Sequence, residues 1–231
     1  MPARGYDPDL MSHISNVSFA TTSLLDGLSN WRFTMEFLRY VTITLFVIWC
    51  VSEIAISLIS AINKSTVSST GADKFSFFIV WLSTIPPIFF AYLIQKHSIF
   101  SNGFGSFSTL FPFLGYLGCL LIAFGVTIRL MAVATLKQQF TTKVSIIERH
   151  KIVEQGVYKI IRHPAYLGYL ASLLGIGLVL GNWVGLTALV VLPLLGILYR
   201  IHVEESVLLS YFGSAYQEYA NRTKRLLPRI W

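Results

Sequence analysis

Long apolar runs alternate with short polar stretches along this chain, and the runs are longer than the core-facing stripes of a soluble helix. A helix needs roughly 20 apolar residues to cross a hydrocarbon layer about 30 Å thick. The runs Tyr40 to Ile62, Phe75 to Ile94 and Phe111 to Leu136 reach that length and read as three spans. Polar, Ser- and Gly-containing stretches from Asn63 to Lys74 and from Lys96 to Ser108 separate them as loops. Ahead of the first span, Phe33, Phe37 and Leu38 fall at helical spacing and predict an interfacial helix.

A further apolar block runs from Ala165 to Tyr199 and is broken by Gly181 and Asn182. Its halves, Ala165 to Leu180 and Trp183 to Tyr199, hold 16 and 17 residues. At helical rise these extend only about 24 to 26 Å, which predicts a tight hairpin that barely reaches the far side. From Arg200 to Trp231, Val203, Val207, Leu208, Tyr211 and Phe212 recur near helical spacing among charges, predicting an amphipathic tail helix on the membrane surface. The expected fold is all-α: a polytopic transmembrane bundle of about five spans with a short C-terminal hairpin and that cytoplasmic tail helix. No repeat, heptad run or low-complexity linker divides it. The expected division is functional, with residues 1–110 supplying an interfacial segment and two scaffold spans and residues 111–231 supplying the polar residues of a site.

Composition strengthens the membrane reading: 54% of the 231 residues are hydrophobic and 13% charged, with a mean hydropathy of +0.63. The formal charge of +7 suits either nucleic-acid binding or cytoplasmic loops. The basic residues decide between them, because they cluster between apolar runs, at Lys137 to Arg162 and Arg222 to Arg229, rather than on one soluble face. That assigns both segments to the cytoplasmic side and excludes a nucleic-acid partner. Five spans then put the N-terminus outside. Cys50 and Cys119 lie within apolar runs without metal-ligand spacing, and residues 1–30 lack the pattern of a removable signal peptide.

Several polar residues need partners if they lie in lipid, where a charge costs about 2.5 to 3.5 kcal/mol on insertion scales. Glu53 in the first span either sits toward one membrane face or bonds to Arg129 in the third. Pro164 suits the first turn of a helix, with His163 at its N-cap. With Tyr166, that helix end can hold an anionic group or serve only as an interfacial helix start. Arg200 and Glu204 share a helix face and can meet each other, as an ordinary ion pair, or two parts of a ligand. No Gly-rich phosphate loop, GxSxG or HExxH occurs, and His13, His97, His150, His163 and His202 lack metal-ligand spacing. The expected metal set is none.

The ordered elements from Gly125 to Arg129, then Phe140, His150 to Tyr158, Arg162-His163-Pro164-Ala165-Tyr166-Leu167-Gly168, Arg200 to Glu205 and Tyr211 to Tyr219, ending at Arg225 to Pro228, resemble the isoprenylcysteine carboxyl methyltransferase family. That family is related to the phospholipid N-methyltransferases. RHPxYxG followed by EExxLxxxFGxxYxxY is a specific pattern, and the resemblance covers nearly half the chain. It implies S-adenosyl-L-methionine as donor, held by His150, Lys151, Ile152, Val153, Tyr158, His163, Pro164, Ala165, Tyr166 and Glu204. It implies Arg200 at the substrate carboxylate, with Arg200 and Glu204 as the catalytic pair and Arg129 as a further substrate-side residue. The partners implied are the bilayer and a lipid or prenylated-cysteine substrate. The location implied is the endoplasmic reticulum in a eukaryote or the cytoplasmic membrane in a prokaryote, with the site facing the cytoplasm.

His150-Lys151-Ile152-Val153 departs from the family's usual HxLV at the Leu, and the connection from Phe140 to His150 is short. A polar residue sometimes supplied there falls on Gln139 or Ser145. A carboxylate nucleophile, ionised above about pH 3.5, needs no general base. Three other readings stay open at this point: phospholipid amine methylation with Glu205 as proton acceptor, a sterol-reductase-like enzyme, and a non-catalytic scaffold.

Overall fold

Apolar side chains crowd the helices of this chain on every side, and small residues mark where two helices touch. The computed structural model describes residues 8–63, 71–96, 111–141 and 151–228. Its helices are α1 (Pro8–Ile62), α2 (Gly71–Lys96), α3 (Phe111–Leu136), α4 (Pro164–Leu180), α5 (Trp183–Phe212) and α6 (Ser214–Arg222), with 3₁₀ turns at Lys137–Gln139 and Gly156–Lys159. No strand occurs among the described residues; one isolated parallel bridge joins Ile161 to Lys224. The chain divides into two units, residues 1–41 and 42–231. In the first, the helical segment from Phe33 exposes Phe33, Phe37 and Tyr40 and buries Leu38.

Among the described residues three stretches are long and apolar enough to cross a membrane, Phe33–Ile62, Phe113–Gln139 and Trp183–Phe212, and Phe78–Ile94 and Pro164–Leu180 are shorter apolar helices. These five apolar segments are the ones the sequence pattern marks. The protein is an integral membrane helical protein. Its lipid-compatible exterior includes Val47, Val51 and Ile62 on α1 and Phe78, Leu82 and Phe90 on α2, all exposed.

Two expectations are corrected. The hairpin has a short first arm but not a short second one, because α5 continues for 30 residues to Phe212. At 1.5 Å per residue that is about 45 Å. Arg200 and the charges after it change what surrounds the helix without ending it. The separate tail helix expected from Arg200 is therefore the second half of α5. A turn at Gly213, with φ +57, leads into the nine-residue α6. Likewise the chain before Tyr40 is not a separate helix, since α1 begins at Pro8.

The α4–α5 turn follows from its residues. Gly181 takes φ +66, which suits a residue without Cβ, and Asn182 caps α5 by accepting from the Gly185 N–H at 3.0 Å. α3 and α4 pack backbone to backbone. A Cβ on Gly168 would sit 2.8 Å from the Arg129 nitrogen, and one on Gly118 would sit 2.7 Å from the Gly175 carbonyl oxygen. Without a hydrophobic drive between helices in lipid, such close approach is a main source of association. Gly168→Val is expected to destabilise the folded protein by about 1–3 kcal/mol or prevent folding, read as a lower melting temperature in detergent. α5 approaches α2 in the same way, with Gly185 against Ala91 and Gly196 against Ser83.

Candidate active site

The start of α4 and the middle of α5 bring the central polar side chains together. Pro164 occupies the first helical position and His163 the N-cap, as their order predicts. One turn on, the Tyr166 hydroxyl accepts from Arg200 Nε at 2.7 Å and donates to Glu204 Oε2 at 2.7 Å. Arg200 and Glu204 do share a face of α5, and Tyr166 stands between them as the bridge. Arg200 is only 4% exposed. Hydrogen bonds to charged groups are stronger than neutral ones, so this chain of three holds its members in register.

Behind it lies a second cluster. Glu205 Oε1 accepts from Arg162 Nε at 2.9 Å and lies 3.3 Å from His163 Nε2, while Oε2 accepts from Arg225 Nε at 2.9 Å. Arg162 also donates to the carbonyls of Ala220 and Thr223, and the backbone N–H groups of Arg162 and His163 donate to the carbonyls of Lys224 and Arg225. The segment after α6 is thus bound alongside the turn that opens α4. The His163 ring stacks on Tyr166 with centroids 5.6 Å apart, so the two clusters share a wall. The helix end is less open to an anion than its sequence suggests, because the N–H groups of Tyr166 and Leu167 both turn back to the His163 carbonyl.

Arg129 and Glu53 form the third group. Arg129 Nη2 donates to Glu53 Oε2 at 2.8 Å, its Nε faces Oε1, and Nη1 donates to the Ala165 carbonyl at 2.9 Å. The guanidinium carbon lies 4.9 Å from the centroid of the Tyr169 ring, whose hydroxyl donates to Thr84 at 3.0 Å. The pairing that charge in lipid demands is present, and Arg129 faces these partners.

All three groups border one cavity of about 1170 Å³, lined from Thr42 to Tyr219. Of the residues singled out from the sequence, Lys151, Ile152, Val153, Tyr158, His163, Ala165, Tyr166, Arg200, Glu204 and Arg129 line it. Pro164 is buried and is not on its wall; it starts the helix. His150 and Ser145 lie outside the described residues. Gln139 is on the wall and accepts from the Lys151 N–H at 2.8 Å. Sequence reading missed the other wall, where Phe46, Trp49 and Ile54 of α1 and Val80, Ile85 and Phe89 of α2 extend the cavity as an apolar slot. No local signal marks these among the other apolar residues of their helices.

Burial pushes the Tyr158 phenol well above its ordinary range, with nearby Glu204 adding to the effect, and moves Tyr219 up to about 12. Both remain protonated at neutral pH. The Tyr219 hydroxyl donates to the Tyr158 carbonyl at 2.8 Å and fixes α6 beneath the cavity. Among the described residues no group of His, Cys, Asp and Glu is placed to hold a metal ion.

Residues 117–210 match the isoprenylcysteine carboxyl methyltransferase (ICMT) family. The chain is 32% identical over 151 residues to a probable protein-S-isoprenylcysteine O-methyltransferase of Oryza sativa subsp. indica, covering 60% of this chain and 79% of the relative. It is 34% identical over 116 residues to the protein-S-isoprenylcysteine O-methyltransferase of Saccharomyces cerevisiae, covering 49% and 48%. The solved eukaryotic intramembrane Ras methyltransferase ICMT superposes with a TM-score of 0.51 at 27% identity, over 63% of this chain and 53% of that one. This chain thus spans about half the length of the solved protein and of the yeast relative. With 79% of the rice protein's length covered at 32% identity, and residues 117–210 matching the family, the chain belongs to the isoprenylcysteine carboxyl methyltransferase family.

Proposed function

We propose that this membrane methyltransferase transfers a methyl group from S-adenosyl-L-methionine to the carboxylate of an isoprenylated cysteine or a similar lipid-linked carboxylate, at the cytoplasmic face of its membrane. The observation that carries the reading is one cavity that joins the buried Arg200–Tyr166–Glu204 chain to a slot of apolar side chains. Its volume of about 1170 Å³ exceeds the roughly 300–1,000 Å³ usual for a single small ligand. There is room for a donor and an acceptor together.

The donor set fits adenosine chemistry. Glu204 supplies an acceptor for hydroxyl or amino groups, and Ile152 and Val153 give an apolar surface for a planar ring. Lys151, Tyr158, His163, Ala165 and Tyr166 complete that end of the wall, and His150 precedes it in sequence. When bound, S-adenosyl-L-methionine supplies an electrophilic methyl on a sulfonium. Arg200 presents a planar fork suited to a carboxylate, and Tyr166 fixes it relative to Glu204 on the donor side. Orientation of this kind supplies several kcal/mol without acid–base chemistry. In this reading α1 from Thr42 to Leu58 and α2 from Val80 to Tyr92 line the lipid slot, and Tyr166, Arg200 and Glu204 on α4 and α5 hold the reacting groups.

Glu205 argues against the amine-methylating alternative. Both of its oxygens are occupied by Arg162, His163 and Arg225, so it is a poor proton acceptor. The pH profile separates the two reactions. A carboxyl nucleophile is already deprotonated above about pH 3.5, so kcat/KM is expected to be flat from pH 6 to 9 for an S-prenylated, N-acylated cysteine. An amine nucleophile, with a pKa of about 10, would give a rate rising through the same interval. Methylation of phosphatidylethanolamine but not of the prenylated cysteine would overturn the proposal.

A further inference from the structure

Glu53 lies on α1, outside the residues that match the family and outside every motif of the sequence, yet its carboxylate stands on the cavity wall with only 14% of the side chain exposed. We infer that Glu53 is a positioning residue for methyl transfer, acting through Arg129 on the turn that carries Tyr166. The inference rests on the reaction proposed above.

The connection is short and every link is a contact. Glu53 meets the Arg129 guanidinium with both oxygens, Nη2 to Oε2 at 2.8 Å and Nε facing Oε1, which fixes the plane of the group. So oriented, Arg129 donates Nη1 to the Ala165 carbonyl at 2.9 Å. Ala165 precedes Tyr166, whose hydroxyl holds Arg200 and Glu204. The backbones of α3 and α4 touch at Arg129 and Gly168, so Arg129 has little freedom to reach Ala165 in another way. Thr84 restrains the same region from α2 through the Tyr169 hydroxyl, while the Tyr169 ring lies beside the guanidinium.

The carboxylate has a second effect that packing alone would not produce. Arg129 and Arg200 both border the cavity, and an anionic acceptor is attracted to each. Glu53 neutralises Arg129 and so removes it as a rival to Arg200 for the acceptor carboxylate. Without Glu53, Arg129 loses the partner that orients it toward Ala165 and becomes a competing site where a carboxylate binds out of line with the methyl group.

The test uses the full chain in lipid nanodiscs, with an S-farnesylated, N-acetylated cysteine as acceptor. Active sites are counted by S-adenosylhomocysteine binding. Glu53→Gln is expected to bind S-adenosylhomocysteine within about twofold of wild type. Its kcat per cofactor site should fall at least about tenfold, on the scale that small misplacements produce, with an acceptor KM no higher than that of wild type. Glu53→Asp, which keeps the charge, should recover part of kcat. Glu53→Leu combined with Arg129→Met strands neither charge and guards against a variant that fails to fold; it should bind cofactor and remain slow. Wild-type kcat per cofactor site in either Glu53→Gln or the double variant would overturn the inference. A wild-type protein that binds S-adenosylhomocysteine but methylates no prenylated cysteine would overturn the proposed reaction itself, and the inference with it.

Discussion

Arg200→Ala is expected to lower kcat/KM for a prenylated cysteine by about a hundredfold or more while leaving S-adenosylhomocysteine affinity within about threefold of wild type. The guanidinium is buried at 4% exposure and is held by the Tyr166 hydroxyl on the cavity wall, so its removal takes away the fixed cation without touching Glu204. Tyr166 continues to donate to Glu204, which keeps the donor side intact. Arg200→Lys should recover little, because an ammonium cannot meet a carboxylate with two parallel donors and cannot keep Nε on Tyr166. Parallel titrations of cofactor and acceptor check this. Equal loss of both affinities would show that Arg200 serves the whole pocket rather than the acceptor.

The second large effect is expected at Glu205. Glu205→Ala would strand Arg162 and His163 beside each other and release Arg225. Breaking a buried pair by removing one partner costs roughly 3–5 kcal/mol, and Arg162, with a side chain only 9% exposed, is the cation left worst off. Arg225 is 40% exposed, so water recovers much of its loss. The segment 223–228 should loosen from the turn at Arg162 and His163, and cofactor binding should weaken along with stability. Melting temperature, limited proteolysis at the C-terminal segment and S-adenosylhomocysteine titration read the three consequences. Glu205→Gln should be milder, since it still accepts hydrogen bonds. A Glu205→Ala protein as stable as wild type would contradict the latch.

Sequence periodicity was informative wherever one element decides its own limits. α3 begins at Phe111 and ends at Leu136, the bounds of its apolar run, and α4 differs from its run only by including Pro164. Gly181 and Asn182 mark the turn between α4 and α5 because each does something only its residue type does well there. The end of α5 was hidden for the opposite reason: hydropathy falls at Arg200, but the helix runs on to Phe212, with the Arg200 charge met by Tyr166, 34 residues earlier. A partner so distant leaves no local trace. The same holds for the Ile161–Lys224 bridge, too short to show strand alternation.

The candidate site divides in the same way. Charge in an apolar run requires a partner or a place at the membrane face, so a bond to Arg129 is one of two sequence readings of Glu53, and it is the one present. The spacing of Arg200 and Glu204 placed both on one face, but not the phenol between them. The lipid slot was not legible, because Phe46, Ile54, Ile85 and Phe89 look like every other apolar residue facing lipid or core.

The most direct measurement is to incubate the nanodisc-embedded protein with S-adenosyl-L-methionine carrying a labelled methyl group and a farnesylated, N-acetylated cysteine, then treat the product with base. A methyl ester releases its label as methanol, whereas an N-methyl group stays attached. Base-labile label that depends on both the prenylated cysteine and Arg200 is the expected result. Label that survives base, or no transfer by a wild-type protein that binds S-adenosylhomocysteine, would contradict carboxyl methylation at this cavity.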